Sequence, residues 1–221
     1  GCSGGSRAMD EQTTGLILRL RSLTDTSLLV HWLTPTHGRL ATAAKGARRA
    51  KSPFNGRLDL LFEASLSFRR SRSSEIHILT EVKLQESHAT VRVIITHLQL
   101  MAYATRFLEQ TTETEHPLPG AYAIFKTLLD HLSTAPCRPA LVYALEMKLL
   151  NELGLSPPLN ESRLEDTTIE LLKQLAVRNW ADITALHPTK KRVRAMKEYL
   201  HGFIVYHLGK LPKGRETLLG G

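Results

Sequence analysis

The stretch LLFEASLSFRR, residues 60–70, carries the clearest two-residue alternation in this chain of 221 residues. Phe62, Ala64, Leu66 and Phe68 fall on one side, whereas the positions between them are polar or charged. Successive side chains of a β-strand point to opposite faces of a sheet, so the pattern predicts a strand with one buried face.

Four further runs of β-forming residues surround this strand, at residues 16–21, 27–34, 39–44 and 76–83. Turn-forming residues separate the runs, as in Thr36-His37-Gly38. Five short strands within about 70 residues are typical of a small barrel, and a five-stranded oligonucleotide-binding (OB) barrel is the natural candidate. The periodicity is equally compatible with an SH3-like barrel.

The pattern changes to a helical period after Glu86. It predicts five helices, at residues 88–112, 119–133, 139–153, 162–178 and 189–208, the fourth opened by the capping-box sequence Ser162-Arg163-Leu164-Glu165. Short connections between them favour one packed bundle. The fold class is therefore α+β, with an OB-type barrel at residues 10–86 and an α-helical bundle domain at residues 87–221. Residues 1–9, GCSGGSRAM, are interpreted as an appended segment outside the fold.

A one-sided run of positive charge interrupts the β-rich half. Residues 39–72 contain nine Lys or Arg and only two acids, Asp59 and Glu63. The whole chain has a formal net charge of +8, which favours a polyanionic partner, first of all nucleic acid. Phe54 lies inside this run and is either a stacking face for bases or a loop anchor, whereas Trp32 is more typical of core. Binding led by charge predicts little sequence preference.

Residues that would mark an enzyme are absent from the sequence. It contains no phosphate-binding glycine loop, no H-E-x-x-H and no C-x-x-C, and its ten histidines are scattered. Outside residues 1–9 the only cysteine is Cys137, which fits a reducing cytoplasm. No run approaches the roughly 20 apolar residues of a membrane span. We therefore expect a non-enzymatic cytoplasmic protein without metal or cofactor, although a nucleic-acid enzyme with clustered acids remains a rival reading.

Several motifs resemble the bacterial DNA repair and recombination mediator family RecO. The sequence shows the opening Gly15-Leu16-Ile17-Leu18-Arg19, the turn T-H-G-R-L at residues 36–40 and the run A-K-G-A-R-R at residues 44–49. The closing segment HLGKLPKGRETL, residues 207–218, also resembles the end of family members, and LEMKLLNELGL matches their helical domain. Many relatives carry a four-cysteine zinc module after this helix. This chain has LSPPLNESRLEDTTIELL there, without cysteine, so zinc is not expected.

The resemblance implies an OB barrel followed by a helical domain, and a role associated with the nucleoid. It implies binding of single- and double-stranded DNA, annealing of complementary strands, and cooperation with RecR to place RecA on strands coated by SSB. It places DNA contacts on the basic residues of the barrel. The predicted DNA-binding set is Arg39, Lys45, Arg48, Arg49, Lys51, Phe54, Arg57, Arg69, Arg70 and Arg72. An RNA-binding OB protein, associated with the ribosome or with other RNA, is the alternative.

A site for the acidic, apolar-ended C-terminal tail of SSB is also predicted, on the helix at residues 139–153. Leu145 and Leu149 would receive the apolar end of the tail, and Arg138 and Lys148 would pair with its acids. The competing interpretation makes the leucines ordinary core and pairs Lys148 with Glu152 one turn on.

Overall fold

A computed structural model describes residues 9–220 of the chain. The interpretation of residues 1–9 as an appended segment falls almost entirely outside this range. The chain divides into two compact units. The first contains the residues up to Ala89 together with Glu113–Tyr122, and the second contains Thr90–Thr112 and the residues from Ala123 onward. The domain limits 10–86 and 87–221 stay a prediction, to which the structure adds the return of residues 113–122 to the first unit.

The first unit is a closed five-stranded β-barrel, as the alternation predicts. Its strands are β1 (Glu11–Ser22), β2 (Leu28–Thr34), β3 (Gly38–Ala44), β4 (Glu63–Arg69) and β5 (Ile76–Glu86). They are hydrogen-bonded in the order β1-β2-β3-β5-β4, and β4 closes the barrel by pairing with β1. All pairs are antiparallel except β3 with β5. This is an OB-type barrel.

Alternate residues of the strands fill the barrel. Trp32, opposite Leu40, is fully buried, and its indole Nε1 donates to the Thr42 hydroxyl at 2.9 Å. Leu66 and Phe68 of β4 lie in the same core, which confirms the inward side predicted for residues 60–70. The indole is therefore core, as its position in the sequence favours.

Residues 113–122 return to the barrel beside the start of β3. The Glu115 amide donates to the Arg39 carbonyl at 2.8 Å. A Cβ placed on Gly38 would lie 1.8 Å from the His116 carbonyl oxygen, and Gly38 has a φ of +64°. Only glycine fits here, because the return segment passes so close and the backbone is left-handed.

The second unit is helical. The helices of the chain are α1 (Ala89–Arg92), α2 (Ile95–Thr111), α3 (Pro119–Leu132), α4 (Pro139–Glu152), α5 (Asp166–Val177), α6 (Trp180–Thr184), α7 (Lys190–Leu208) and α8 (Arg215–Leu219). Thr189 caps α7 and Gly209 ends it in a left-handed conformation, both as predicted. Helix α4 lies within the unit: every residue from Leu141 to Leu150 except Lys148 is buried.

The structure corrects two helix predictions. The helix expected at residues 88–112 is interrupted at Ile94, whose backbone is extended, within a β-branched run that disfavours helix. Ser162 caps no helix, because its hydroxyl donates to the Leu159 carbonyl at 2.6 Å in a preceding turn. Helix α5 instead begins at Asp166. The short helices α6 and α8 were not predicted.

Candidate nucleic-acid interface

The segment between β3 and β4, residues 45–62, is a series of tight turns, and we call it the basic loop. The amide of Arg49 donates to the Gly46 carbonyl at 3.0 Å, and the amide of Ser52 donates to the Arg49 carbonyl at 3.1 Å. Gly46 adopts a φ of +70°, which glycine reaches without strain. The loop therefore has a defined backbone on which its cations are held.

Two apolar side chains anchor the basic loop in the barrel. Ala47 and Phe54 are each 8% exposed and belong to the barrel core. The Arg48 amide donates to the Thr26 carbonyl at 3.0 Å, and its guanidinium donates to the Thr24 carbonyl at 3.1 Å. These contacts fix the basic loop against the β1–β2 loop.

The burial of Phe54 corrects one member of the predicted DNA-binding set. A ring that packs among core side chains presents no face to a nucleotide base. Phe54 is the loop anchor of the two roles that the sequence left open, and we remove it from the interface.

The cations of the basic loop remain at the surface. Lys45, Arg49 and Lys51 are exposed, and their side chains make no ion pair or hydrogen bond with any other residue in the described part of the chain. Arg57 is also exposed and donates to the Val82 carbonyl at 3.2 Å. Positive charge without an acidic partner is the kind that phosphate oxygens neutralise, with release of counterions.

The barrel separates the predicted set into two groups. Because β1, β3 and β5 run in one direction and β2 and β4 in the other, the basic loop and the β1–β2 loop share one end. The β4–β5 loop and the start of β3 share the opposite end. Lys45, Arg48, Arg49 and Lys51 thus lie at the first end, and Arg39, Arg69, Arg70 and Arg72 at the second.

Acids neutralise most of the charge around the β4–β5 loop. Arg70 hydrogen-bonds Glu11 and Glu115, and Arg69 pairs with Asp10 at 3.4 Å. The hydrogen bond from Arg70 lowers the pKa of the Glu11 carboxyl. Arg70 and Arg69 therefore hold the first strand and the return segment together, and phosphate would have to compete for them.

Glu115 is held from two sides in this cluster. Burial acts to raise its pKa, but the hydrogen bond from Arg70 and the nearby His77 ring outweigh it, and the net pKa of Glu115 is lowered. The buried His77 accepts from the Ser71 amide through Nδ1 at 3.0 Å, which leaves its Nε2 facing Glu115 at 3.1 Å. Arg72, by contrast, is exposed and has no side-chain partner in the described range.

Two further cations, outside the predicted set, lie on the barrel wall. Arg19 lies opposite His31, and Arg21 lies opposite Leu29, on the outer side of β1 and β2. The signal was partly present, because Leu18 and Leu20 alternate with them, but a bulge between Ile17 and Arg19 places Ile17, and not Leu16, in the barrel core. OB barrels bind oligonucleotides on the face of β2 and β3 and on the β1–β2 and β4–β5 loops, and Arg21 lies at the end of β1 next to the β1–β2 loop.

The structure also corrects the predicted tail site on α4. Leu145 and Leu149 are fully buried, so they belong to the core of the helical unit. The Lys148 ammonium donates to the carbonyls of Ala176 at 3.3 Å and Arg178 at 2.6 Å, at the end of α5. Its burial lowers the pKa of Lys148. Only Arg138 of the predicted set is exposed.

Residues 9–220 lack two features of other protein classes. No group of three or more His, Cys, Asp or Glu is arranged to hold a metal ion in this range. None of the helices described there is both long and apolar enough to cross a bilayer.

Two family models match the chain and together cover more than half of it. The model described as "Recombination protein O N terminal" matches residues 9–88, which include the whole barrel sheet. The model described as "Recombination protein O C terminal" matches residues 95–164. The order of the two matches is the order of the two units.

Curated proteins named DNA repair protein RecO are similar to this chain. The chain is 26% identical over 152 residues to the DNA repair protein RecO of Bacillus pumilus, which covers 68% of this chain and 58% of the relative. It is 27% identical over 158 residues to that of Salinibacter ruber, covering 71% of this chain and 61% of the relative. The matched region thus spans about three fifths of these relatives' length. The chain belongs to the RecO family of DNA repair and recombination proteins.

Proposed function

We propose that this chain is a DNA-binding mediator of recombinational repair that binds single- and double-stranded DNA through the basic loop. The observation that carries the proposal is the exposure of Lys45, Arg49 and Lys51 without an acidic partner in the described residues. Family membership supports the repair role. In this role the protein neither forms nor breaks a covalent bond.

The basic loop would act on phosphates rather than on bases. Lysine and arginine on a defined loop neutralise phosphates whatever the sequence, and the free energy comes mainly from released counterions. Base readout in duplex DNA requires an element that enters the major groove, and the basic loop is too short and too turned to do so. Binding should therefore be strong at low salt and nearly independent of sequence.

The same neutralisation supports strand annealing. Two complementary strands repel each other through their phosphates, and a cationic surface that holds one strand lowers that repulsion for the second. We further propose that the chain works with RecR and contacts SSB, so that RecA is placed on SSB-coated single strands. These partners follow from the family and would put the chain at the nucleoid.

An annealing assay tests the proposal. Complementary strands, bare or coated with SSB, would be mixed with wild-type protein or with a Lys45→Ala, Arg49→Ala, Lys51→Ala variant, called the loop variant. A control variant, Lys83→Ala, Arg163→Ala, Lys190→Ala, removes the same charge from exposed residues elsewhere. Annealing that fails in the loop variant alone supports the proposal. If both variants lose annealing equally, the basic loop contributes only to the net charge of the protein.

A parallel arm with RNA strands of matched sequence separates the alternative. The 2′-hydroxyl is the group by which a protein distinguishes RNA from DNA. Contacts made to phosphates alone predict similar affinities at equal salt, with annealing of DNA retained. A clear preference for RNA would instead favour the RNA-binding alternative.

A further inference from the structure

Helix α7 carries a row of aromatic side chains toward its end. Tyr199 and Phe203 are stacked, with ring centroids 6.5 Å apart, and Phe203 lies 4.2 Å from the His207 ring. Tyr206 meets His207 edge-on at 5.0 Å. Tyr206 itself is 84% exposed. This is unusual for a large aromatic ring, because most of its apolar surface is left in contact with water.

The row lies beside the buried side of the helix: Tyr206 and His207 are exposed, whereas Tyr199 and Phe203 are half-buried. Met196, Leu200 and Ile204 form that buried side. Gly202 stands on the exposed side, within one turn of both Tyr199 and Tyr206, and no atom lies within 4 Å of where its Cβ would be. A mid-helix glycine weakens the helix, but here the missing side chain leaves the helix surface open next to the rings.

Two lysines extend the row beyond the helix. Lys210 and Lys213 are exposed, and their ammonium groups have no partner in the described residues. Their backbone is held, since the Gln110 amide donates to the Lys210 carbonyl at 2.8 Å and Arg106 donates to the Lys213 carbonyl at 3.2 Å. The lysines are therefore presented from a fixed turn.

Three cations in the body of α7 are already neutralised. Lys191 pairs with Glu165, Arg194 with Glu198, and Lys197 with Glu216. Toward the end of α7, the uncompensated positive charge is therefore that of Lys210 and Lys213, which follow the aromatic row in the sequence. A surface that combines accessible aromatic faces with lysines matches the chemistry of an unpaired nucleic-acid strand.

We propose that Tyr199, Phe203, Tyr206, His207, Lys210 and Lys213, the α7 patch, form a second nucleic-acid surface that binds single strands. Bases would stack on the rings and phosphates would pair with the lysines. Bases within a duplex are already stacked, so the α7 patch should discriminate against double strands, unlike the basic loop. Residues 199–213 lie outside both ranges matched by the family models.

Photocrosslinking on the full chain tests this assignment. An oligonucleotide with 5-iodouracil at successive positions would be irradiated in complex with wild type, and the joined peptides identified by mass spectrometry. We expect a crosslink to Tyr206, lost in Tyr206→Ala, retained in Tyr206→Phe and in the neighbouring control Val205→Ala. An excess of duplex should not remove it.

Affinity measurements over a salt series provide the second readout. Tyr206→Ala should weaken single-strand binding at least about fivefold with an unchanged salt slope, because stacking is not a counterion effect. Lys210→Ala should reduce the slope by about 0.7. If no crosslink to α7 forms and Tyr206→Ala binds single strands with unchanged affinity, the assignment of the α7 patch to nucleic acid is wrong. The rings would then form a protein-binding face. Repeating both readouts in the loop variant separates this failure from failure of the basic loop.

Discussion

Glu146 and Arg215 are 69 residues apart in the sequence, and both are fully buried and joined by an ion pair in the helical unit. The Arg215 Nη2 lies 3.1 Å from Oε2 of Glu146, and the Tyr103 hydroxyl donates to Oε1 of the same carboxylate at 2.8 Å. The hydrogen bond with Glu146 raises the pKa of Arg215 against the opposing effect of burial. The closing segment of the chain is thereby attached to α4.

Breaking this pair should cost much more stability than replacing it. Arg215→Met should lower the free energy of unfolding by about 3–5 kcal/mol, because the Glu146 carboxylate is left buried without its cation. The double variant Arg215→Met, Glu146→Leu should recover part of that loss. Urea denaturation of both variants and of Glu146→Leu measures the coupling. Additive losses would contradict a coupled pair.

Phe54 should matter for the barrel and not for base contact. Phe54→Ala should lower the free energy of unfolding by about 3 kcal/mol, because a buried aromatic side chain is removed from the core. Phe54→Leu keeps most of the packing and should retain DNA affinity within about twofold, since a phosphate-led interface loses no contact. Fluorescence anisotropy with a single strand measures the affinity. A large loss in folded Phe54→Leu would restore the stacking role.

The Arg70 cluster should make the barrel sensitive to acid. The folded pKa values of Glu11 and Glu115 lie below the usual 4.5, so their stabilisation is complete above about pH 4.5. It is lost as the pH falls through the lower folded values. Arg70→Ala should lower stability by about 1 kcal/mol at pH 7 and flatten its decline between pH 5 and 3.

The neighbouring exposed Arg72 gives the control for that measurement. Arg72→Ala should change the free energy of unfolding by less than about 0.5 kcal/mol and leave its pH profile intact. Thermal unfolding of both variants across the pH range makes the comparison. If stability depends on pH in the same way in the Arg70 and Arg72 variants, the ion pairs of Arg70 contribute nothing to the acid sensitivity of the barrel.

Lys148 should behave as part of the fold and Arg138 as part of the surface. The Lys148 ammonium meets the last carbonyls of α5, where a cation is favourable and an anion unfavourable. Lys148→Glu should therefore lower stability by at least about 2 kcal/mol, whereas Arg138→Glu should fold normally. Titrating a fluorescent SSB tail peptide against Arg138→Glu then tests that residue as a contact. Unchanged peptide binding would place the contact elsewhere.

Much of the barrel was predictable because burial and alternation coincide in it. Trp32, Leu66 and Phe68 face into the barrel as predicted, and the residues next to them on the strands face outward. The helical period was visible for the same reason in α3, where Phe125, Leu128 and Leu132 form the buried side. The interruption at Ile94 was missed because a β-branched run reads as apolar helix when only spacing is considered.

The interface was harder to predict, since charge alone does not show which cations are neutralised. Arg70 and Lys45 are indistinguishable in the sequence, yet Arg70 is paired with Glu115, 45 residues away. Phe54 lies among exposed cations but turns into the core. Long-range pairing of this kind has no local signal, whereas the wall residues Arg19 and Arg21 could have been found from the alternation of β1.

The salt dependence of single-strand binding tests the central claim most directly. If about five phosphates are neutralised, the slope of log K against log salt should be near −3.5 for wild type, about a hundredfold loss for a fourfold rise in salt. The loop variant should lose about 2 from the size of that slope, while the control variant Lys83→Ala, Arg163→Ala, Lys190→Ala should keep it. A wild-type slope near zero, or a loop variant with the wild-type slope and affinity, would contradict the assignment of DNA binding to the basic loop.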